Sequence, residues 1–545
     1  MYARLVKSKK SKHPTLQIVQ GIREGKKVKQ KILASLGVVK NLDDLKKIKT
    51  LTEHLIRKLE REGLPPDKKI KIEDLIHKET IYDGFGMVIE RLMQLSGFAN
   101  IIRTVQGRHE FDVEKIVKLV IAQRLDLPSS KLRTYERQEE HGFHDIDLQH
   151  IYRCMDAVGP LSIDIQRQSL EAATAHCCEL DCLLFDVTTL YFESIEQDEI
   201  RDFGFSKDQK HNLVQIVLAL VVSSEGVPIA YETFKGNLGE TKTLIPVLNQ
   251  LRKDFHINNV TIVCDRGMAC KGNAEALQAE GFNFVIAAKL RSMSKKLKIN
   301  ELSAYSLLPD QENIADEEKT FFRVLKHPQY EDTELIITYS PSRAAKDRSD
   351  RERLIEKLIQ KLNASEDEKS VKKVISNSGY KKYTNVKEGS LVTINQEAID
   401  NDAAWDGFHG IAVTKGANLS VEEALARYKE LWRVEEAFRI GKCSLKTRPI
   451  FHWKPDRIKA HVLLCFMTLF FERFLEFLLK RNHTPLTPDK IRHALSGVHT
   501  ICFEDGNSHK EGKVESKLSE NAKKIFSVLK IPIERSSRLS HGCCV

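Results

Sequence analysis

No G-x-x-x-x-G-K-[S/T] loop occurs anywhere in this 545-residue chain, which disfavours a nucleotide-driven motor: the backbone cradle for a triphosphate is missing. The 11 cysteines form no paired CxxC units at zinc-finger spacing. Cys177, Cys178 and Cys182 cluster, but no second pair follows at ligand distance, and the set reads as buried or surface thiols in a reducing cytosol. The N-terminus, MYARLVKSKKSKHP, lacks the apolar run of a signal peptide. Long hydrophobic runs are also scarce. The longest, Val462 to Phe471, stops at ten residues and is followed by Glu472, Arg473 and Glu476, so it reads as a buried helix rather than a membrane span. Internal repeats and low-complexity tracts are absent.

What is present is charge. Charged residues make up 30% of the chain and apolar ones 41%, the balance of a soluble globular protein, and the length suggests three or four units of about 150 residues. Residues 1–50 carry 14 Lys and Arg against 3 Asp and Glu, so this segment holds the whole +10 excess and the rest is near neutral. A basic arm of this kind suits a polyanionic partner, most commonly nucleic acid. A merely solubilising lysine-rich segment is the alternative.

Within that arm, PTLQIVQGIREGKKVKQKILASLG predicts a hairpin around REGKK. Charged, helical-patterned residues 41–77 break at GLPPD, and a helical stretch follows from Thr80 to about Ala175. From Leu180 the texture becomes β-rich. LDCLLFDVTTLYFES predicts a strand, NLVQIVLALVVSSEGVPIAYETF two strands about a Ser224-Glu225-Gly226 turn, and TKTLIPVLNQLRKDF a helix. NNVTIVCDRGM then reads as a strand buried on both faces, NAEALQAEG as a helix and FNFVIAAKL as a strand. That order predicts an α/β fold with a mixed sheet. Residues 291–404 read as an inserted, β-containing subdomain, after which FHGIAVTK is a further strand. A single helix starts at a capping box, Ser420 with Glu423, and runs through YKELWRVEEAFRIGK.

Asp186 lies inside the first apolar strand and Asp265 ends the fourth, where a carboxylate is costly unless paired or bound to metal. On the later helix, Tyr428, Glu435 and Lys442 recur every seven residues, and seven residues turn a helix through about 700°, so the three stand nearly in line. Glu435 is preferred to its neighbour Glu436 because Glu436 leaves that line. Three carboxylates without His or Cys favour Mg²⁺ or Mn²⁺. Two such ions about 4 Å apart suit phosphodiester chemistry. Unrelated acids on an ordinary α/β scaffold remain the bland alternative.

FDVTT, CDRGM and YKELWRVEEAFRIGK, in that order, resemble the three catalytic motifs of DDE insertion-sequence transposases. The narrower likeness is to the branch whose third motif carries Tyr, Arg, Glu and Lys, and it covers about residues 1–480. It implies a ribonuclease-H-like catalytic core interrupted by a β-rich insertion, with a basic N-terminal hairpin and helical region and a helical C-terminal part. The 170 residues from Asp265 to Glu435 match the family's long spacer. On this resemblance Asp186, Asp265 and Glu435 are the metal-binding catalytic acids, Thr188 stands where the family often has a Thr, and Tyr428 and Lys442 contact DNA. The signature Arg should follow Tyr428 by three, but Leu431 stands there. Arg433 and Arg439 are candidate substitutes.

Lys7, Lys9, Lys10, Lys12, Lys26, Lys27, Lys29 and Lys31 are the first candidates for recognising element ends, and residues 110–136 the second. The expected organisation is a basic arm (1–79), a helical domain (80–176), core parts at 177–290 and 405–480 around the 291–404 insertion, and a C-terminal region (481–545). The implied partners are double-stranded DNA, both element ends and target, and a second copy in a homodimer on DNA, with no membrane. The implied place is the prokaryotic cytoplasm, at the nucleoid. A metal-dependent endonuclease of the same fold and an inactive DNA-binding relative are the alternatives at this point.

Overall fold

The computed structural model describes residues 1–7, 13–24, 27–39, 52–53, 55–56, 75–176, 178, 180–257, 260–293, 297–364, 378–386, 392–505 and 511–533. The chain divides into two compact units, one formed by residues 178–438 and the other by 1–177 together with 439–545.

The 178–438 unit is built on one mixed sheet. Its elements run β1 (Cys182–Tyr191), β2 (Gln215–Ser223), β3 (Pro228–Lys235), α1 (Leu244–Lys253), β4 (Thr261–Cys264), α2 (Lys271–Ala279) and β5 (Asn283–Ala287). After them come β6 (Ser306–Leu307), β7 (Phe321–Lys326), β8 (Thr333–Tyr339), α3 (Pro341–Asn363), α4 (Gln396–Ala403), β9 (Phe408–Thr414), α5 (Val421–Lys429) and α6 (Trp432–Arg439). The strand order is β6-β7-β8-β9-β5-β4-β1-β2-β3, with β4 parallel to both β1 and β5 and the remaining pairs antiparallel. All four β4 residues are buried, as a short apolar strand inside an α/β sheet must be. The β2–β3 turn needs Gly226 at φ +83°, a conformation glycine adopts without a Cβ clash.

The detached insertion expected over 291–404 is corrected by this topology. β6, β7 and β8 extend the main sheet, because β9 offers β8 a full antiparallel edge from Thr333↔Thr414 to Tyr339↔Phe408. Leu335 and Ile337 are fully buried in a cluster with Leu290 and Ile299. Outside the sheet stand α3, α4 and the hairpin of Thr384–Val386 with Val392–Ile394, grouped around Leu358, Tyr380 and Tyr383.

The expected single helix from Ser420 is corrected too. The capping box is present, with the Glu423 N–H donating to Ser420 Oγ at 3.2 Å and the Ser420 N–H donating to Glu423 Oε2 at 2.7 Å. The helix nevertheless ends at Lys429, where three-residue hydrogen bonds (Leu431 to Tyr428, Arg433 to Glu430, Val434 to Leu431) tighten the chain before α6. A π-turn, Ile440–Ser444, follows and holds Lys442. Ser420→Ala is expected to cost about 1 kcal/mol in a denaturant melt. An unchanged midpoint would mean that the cap adds nothing to α5.

In the other unit, Tyr2–Val6, Thr15–Glu24 and Lys27–Val38 make a three-stranded antiparallel sheet, one strand more than the expected hairpin. Leu16, Ile18, Ala34, Leu36, Val39 and Leu55 form its apolar cluster. The helical part packs Asp83–Ser96, Val113–Asp126, Leu148–Val158 and Ser162–Ala175 against Pro455–Arg481. That last helix is apolar on every side and buried nearly throughout, as such a helix must be. Phe470 stacks on Phe98 at 5.1 Å and on Phe474 at 5.1 Å. Glu472 is buried beside the Arg492 guanidinium at 2.5 Å, and burial still holds its carboxyl above the ordinary range. Residues 439–480 therefore group with the helical unit rather than with the second core part expected at 405–480. The strand Thr500–Asp505 pairs with both Leu75–Ile81 and Glu511–Glu515, which draws the C-terminal region into the same unit. Among the described residues no helix is long and apolar enough to cross a membrane.

Candidate active site

The parallel register of β1 and β4 runs from Cys182↔Thr261 to Phe185↔Cys264, so the next residues on the two strands are Asp186 and Asp265. Neighbouring strands lie about 4.8 Å apart, and matched register gives these two residues the same height on the sheet. β1 continues past Asp186 against β2, with Asp186 opposite Leu220, whereas β4 ends and Asp265 opens the tight turn Arg266–Met268. Asp186 is thus half-buried in a strand and Asp265 is exposed at a strand end.

Asp186 Oδ1 accepts its neighbour Val187's N–H at 2.7 Å. Burial pushes its carboxyl up to about 6, against the pull of Lys207, and the charge of Asp265 adds to the rise. Lys207 is a residue that sequence reasoning missed. Its ammonium lies 3.8 Å from Asp186 Oδ1 and 3.0 Å from Glu240 Oε1. Glu240 reaches the Asp265 turn because residue 267 is glycine: a Cβ there would stand 2.7 Å from Glu240 Oε2. No local sequence signal joins 186, 207 and 240, since the sheet and its turns bring them together.

Glu435 lines the same cleft, of about 730 Å³, as Asp186, Asp265, Lys207 and Tyr428; Glu436 is not among its lining residues. The stripe drawn through Tyr428, Glu435 and Lys442 does not survive as a straight line, because the tightened turn before α6 and the π-turn after it change the helical phase. Tyr428 lies tilted against His409 with ring centres 5.0 Å apart. Burial, then the charges of Asp265 and Glu435, push its hydroxyl up to about 12, so it remains a proton-bearing donor. His409 is held down at about 4 by burial and by Arg343 and Arg266, and stays neutral. Arg343, on α3, also lines the cleft and is a second cation that the sequence pattern did not mark.

Leu431, at the signature Arg position, is a buried wall of the cleft. Arg433 lies over the Trp432 ring at 5.0 Å and does not line the cleft. Thr188 is only 4% exposed, so it packs beside Asp186 and offers no surface to DNA. Arg439 and Lys442 fall in the other unit. Lys7 and Lys31 are exposed and Lys27 and Lys29 lie on a strand, while Lys9, Lys10, Lys12 and Lys26 lie outside the described residues. Among the described residues no three His, Cys, Asp or Glu gather into a metal-sized cluster, so the tight triad of carboxylates expected from the motifs is an open one here.

Residues 178–471, more than half of the chain, match the family model of the transposase DDE domain. The chain belongs to the DDE transposase family. Residues 3–67 also match the N-terminal domain of IS1634 family transposases, so the basic arm of this DNA transposase is a family feature as well. No curated protein matches the chain. Among solved structures, the transposase is similar to a piggyBac transposase synaptic complex with hairpin DNA, at 9% identity and a TM-score of 0.36, covering 76% of this chain and 78% of that one. It is also similar to a Mos1 transposase paired-end complex with left transposon end, at 10% identity and a TM-score of 0.15, covering 32% and 58%. Transposases of this family normally use a divalent metal. The donors suit one in kind: two carboxylates side by side by register, a third in the same cleft, and no thiol or imidazole required.

Proposed function

We propose that this transposase cuts and rejoins the ends of an insertion sequence with Asp186, Asp265 and Glu435 as its catalytic acids. The observation that carries the reading is the register that sets Asp186 beside Asp265, with Glu435 in the same cleft. The order β3-β2-β1-β4-β5 within the sheet, three antiparallel strands and then two parallel ones, supports a ribonuclease-H-like core. The three acids would hold Mg²⁺, or Mn²⁺ in its place. Bound there, the cation supplies Lewis-acid stabilisation of the charge that develops on the scissile phosphate. Tyr428 donates its hydroxyl to the strand, and Lys207 with Arg343 draws the phosphate backbone toward the cleft. The third motif follows the Tyr-Arg-Glu-Lys pattern with its Arg replaced by Leu431, and Arg343 is placed to supply the missing charge. The DNA-bound form is a homodimer that holds two ends, and the enzyme works in the cytoplasm at the nucleoid.

The test is incubation of the full chain with strand-labelled DNA carrying the element's own ends and Mg²⁺, resolved by strand. Nicks at the element boundary followed by joined products are expected. Nicking without any joined product would favour a plain endonuclease, and no cleavage under any divalent metal would favour an inactive binder.

Lys442 and the basic arm contribute phosphate contacts in this reading. Lys442→Ala is expected to lower the salt dependence of end-DNA binding by about 0.9, one counterion's worth for duplex DNA. A slope equal to that of the unsubstituted protein, with full cleavage, would assign Lys442 to the protein surface alone.

A further inference from the structure

The unit of residues 1–177 and 439–545 holds a cavity of about 540 Å³ that the catalytic acids do not explain. Its lining includes Arg124, Lys131, Lys446, Arg448, Lys454 and Arg457, and no carboxylate among the described residues. The acid paired with the lining residue Arg457, Asp156, is already engaged: both its oxygens accept from that guanidinium at 2.7 Å.

Two of these cations are buried inside the protein. Lys131 is 5% exposed, and its ammonium has no hydrogen bond or ion pair among the described residues. Arg124 is 4% exposed; its Nη1 donates to the carbonyls of Leu445 at 2.6 Å and Lys446 at 3.3 Å, while its Nε meets no acceptor. Burying like charges together is costly, and proteins supply an acid or accept an anion to offset it. Among the described residues, none of those lining this cavity is an acid. Burial, and after it the Arg124 charge, hold the Lys131 ammonium down at about 7.

The mouth has a different character. Phe451 and Trp453 also line the cavity and remain 63% and 58% exposed, so two large flat rings face solvent beside the cationic lining. Exposed rings above a cationic floor are what single-stranded nucleic-acid sites use, stacking bases while lysine and arginine hold the backbone. Cavities of this size take one small ligand and cannot admit a duplex.

We propose that this cavity binds one unpaired nucleotide of a DNA strand, with its phosphate on Lys131 and Arg124 and its base against Trp453 and Phe451. The proposal rests on the family's DNA substrate and is independent of the carboxylate assignment, because it concerns binding without cleavage.

The test is fluorescence titration of the full chain in EDTA with four probes: a 5′-phosphorylated single strand, the same sequence as blunt duplex, a deoxynucleoside monophosphate and inorganic phosphate. The signal is the emission present in the unsubstituted chain and missing from Trp453→Phe, so it reports this cavity even where other basic surfaces bind DNA. The single strand is expected to quench it at a concentration at least about tenfold below the other three probes. Lys131→Met is expected to weaken that binding about tenfold, lower its salt slope by about 0.7, and leave the melting temperature unchanged or higher. Trp453→Ala alters a largely exposed ring and is expected to leave the melting temperature unchanged while weakening strand binding measured by anisotropy. Unaltered Trp453 emission with the strand, or strand affinity retained in Trp453→Ala, would overturn the proposal. Equal response to inorganic phosphate would make this a simple anion site, and equal response to the mononucleotide would make it a site for free nucleotide. Either result replaces the strand as occupant.

Discussion

Asp265→Asn is expected to leave end DNA bound and to lower strand cleavage by on the order of 10³-fold. Asp186→Asn does the same and has a second effect that separates it from its neighbour. Asp186 titrates near 6 in the folded chain because burial disfavours its charge, whereas an unfolded aspartate titrates near 4. A raised carboxylate pKa means that the folded state binds the proton more tightly, so stability falls as pH rises from about 4 through 6. Asparagine cannot ionise and escapes that loss. In EDTA, Asp186→Asn is therefore expected to melt at a higher temperature than the unsubstituted chain at pH 7.5, and the gap should close as pH falls toward 4. A gap that stays constant with pH would remove the burial account. Near-normal cleavage by either variant, or by Glu435→Gln, would remove the catalytic assignment itself. A site that weakens its own fold when ionised is a reasonable place to bind a cation.

The largest loss of stability is expected far from those acids in sequence. Phe470 is fully buried, stacked on Phe98 and Phe474 and tilted against Phe471. Truncation to alanine removes the ring from water-free packing and leaves a void that four helices cannot close, at a cost of about 3–5 kcal/mol. In a unit of this size that corresponds to a fall of roughly 10 °C in melting temperature. Phe470→Leu keeps most of the volume and is expected to lose less than half as much. Calorimetry of the full chain checks both, and a truncation cost below about 1 kcal/mol would mean that the helix is not a core element.

Those two predictions draw on parts of the chain that were unequally visible in the sequence. The succession β1 to β5 with its helices was legible because apolar runs, turn signals and 3.6-residue spacing are local properties. Asp186 and Asp265 stood out for the same reason, as charges set among apolar strand residues. The break at Lys429 was not visible: Glu430 and Leu431 are good helix formers, and only packing decides that the chain tightens there. The placement of β6 to β8 was missed because a strand's sequence reports its faces and not which edge it joins. Lys207, Glu240 and Arg343 carry no pattern of their own: Lys207 and Arg343 reach the cleft from different elements, and Glu240 meets Lys207 from a third. The grouping of residues 439–505 with the N-terminal helices also depends on contacts between distant segments.

That last arrangement sets a schedule for the newborn chain. Thr500 Oγ1 donates to Asp83 Oδ2 at 2.7 Å across 417 positions, and Thr500–Asp505 is the middle strand of its small sheet. A ribosome adding 5–20 residues per second needs roughly 20–80 s to travel between those two partners. During that interval the contiguous 178–438 unit has emerged whole, while the helices from 83 to 175 still wait for the Phe-rich segment that fills their centre. A message cut short before residue 500 would accordingly yield a chain with its acids in place and its helical half unfinished, an obvious target for proteases.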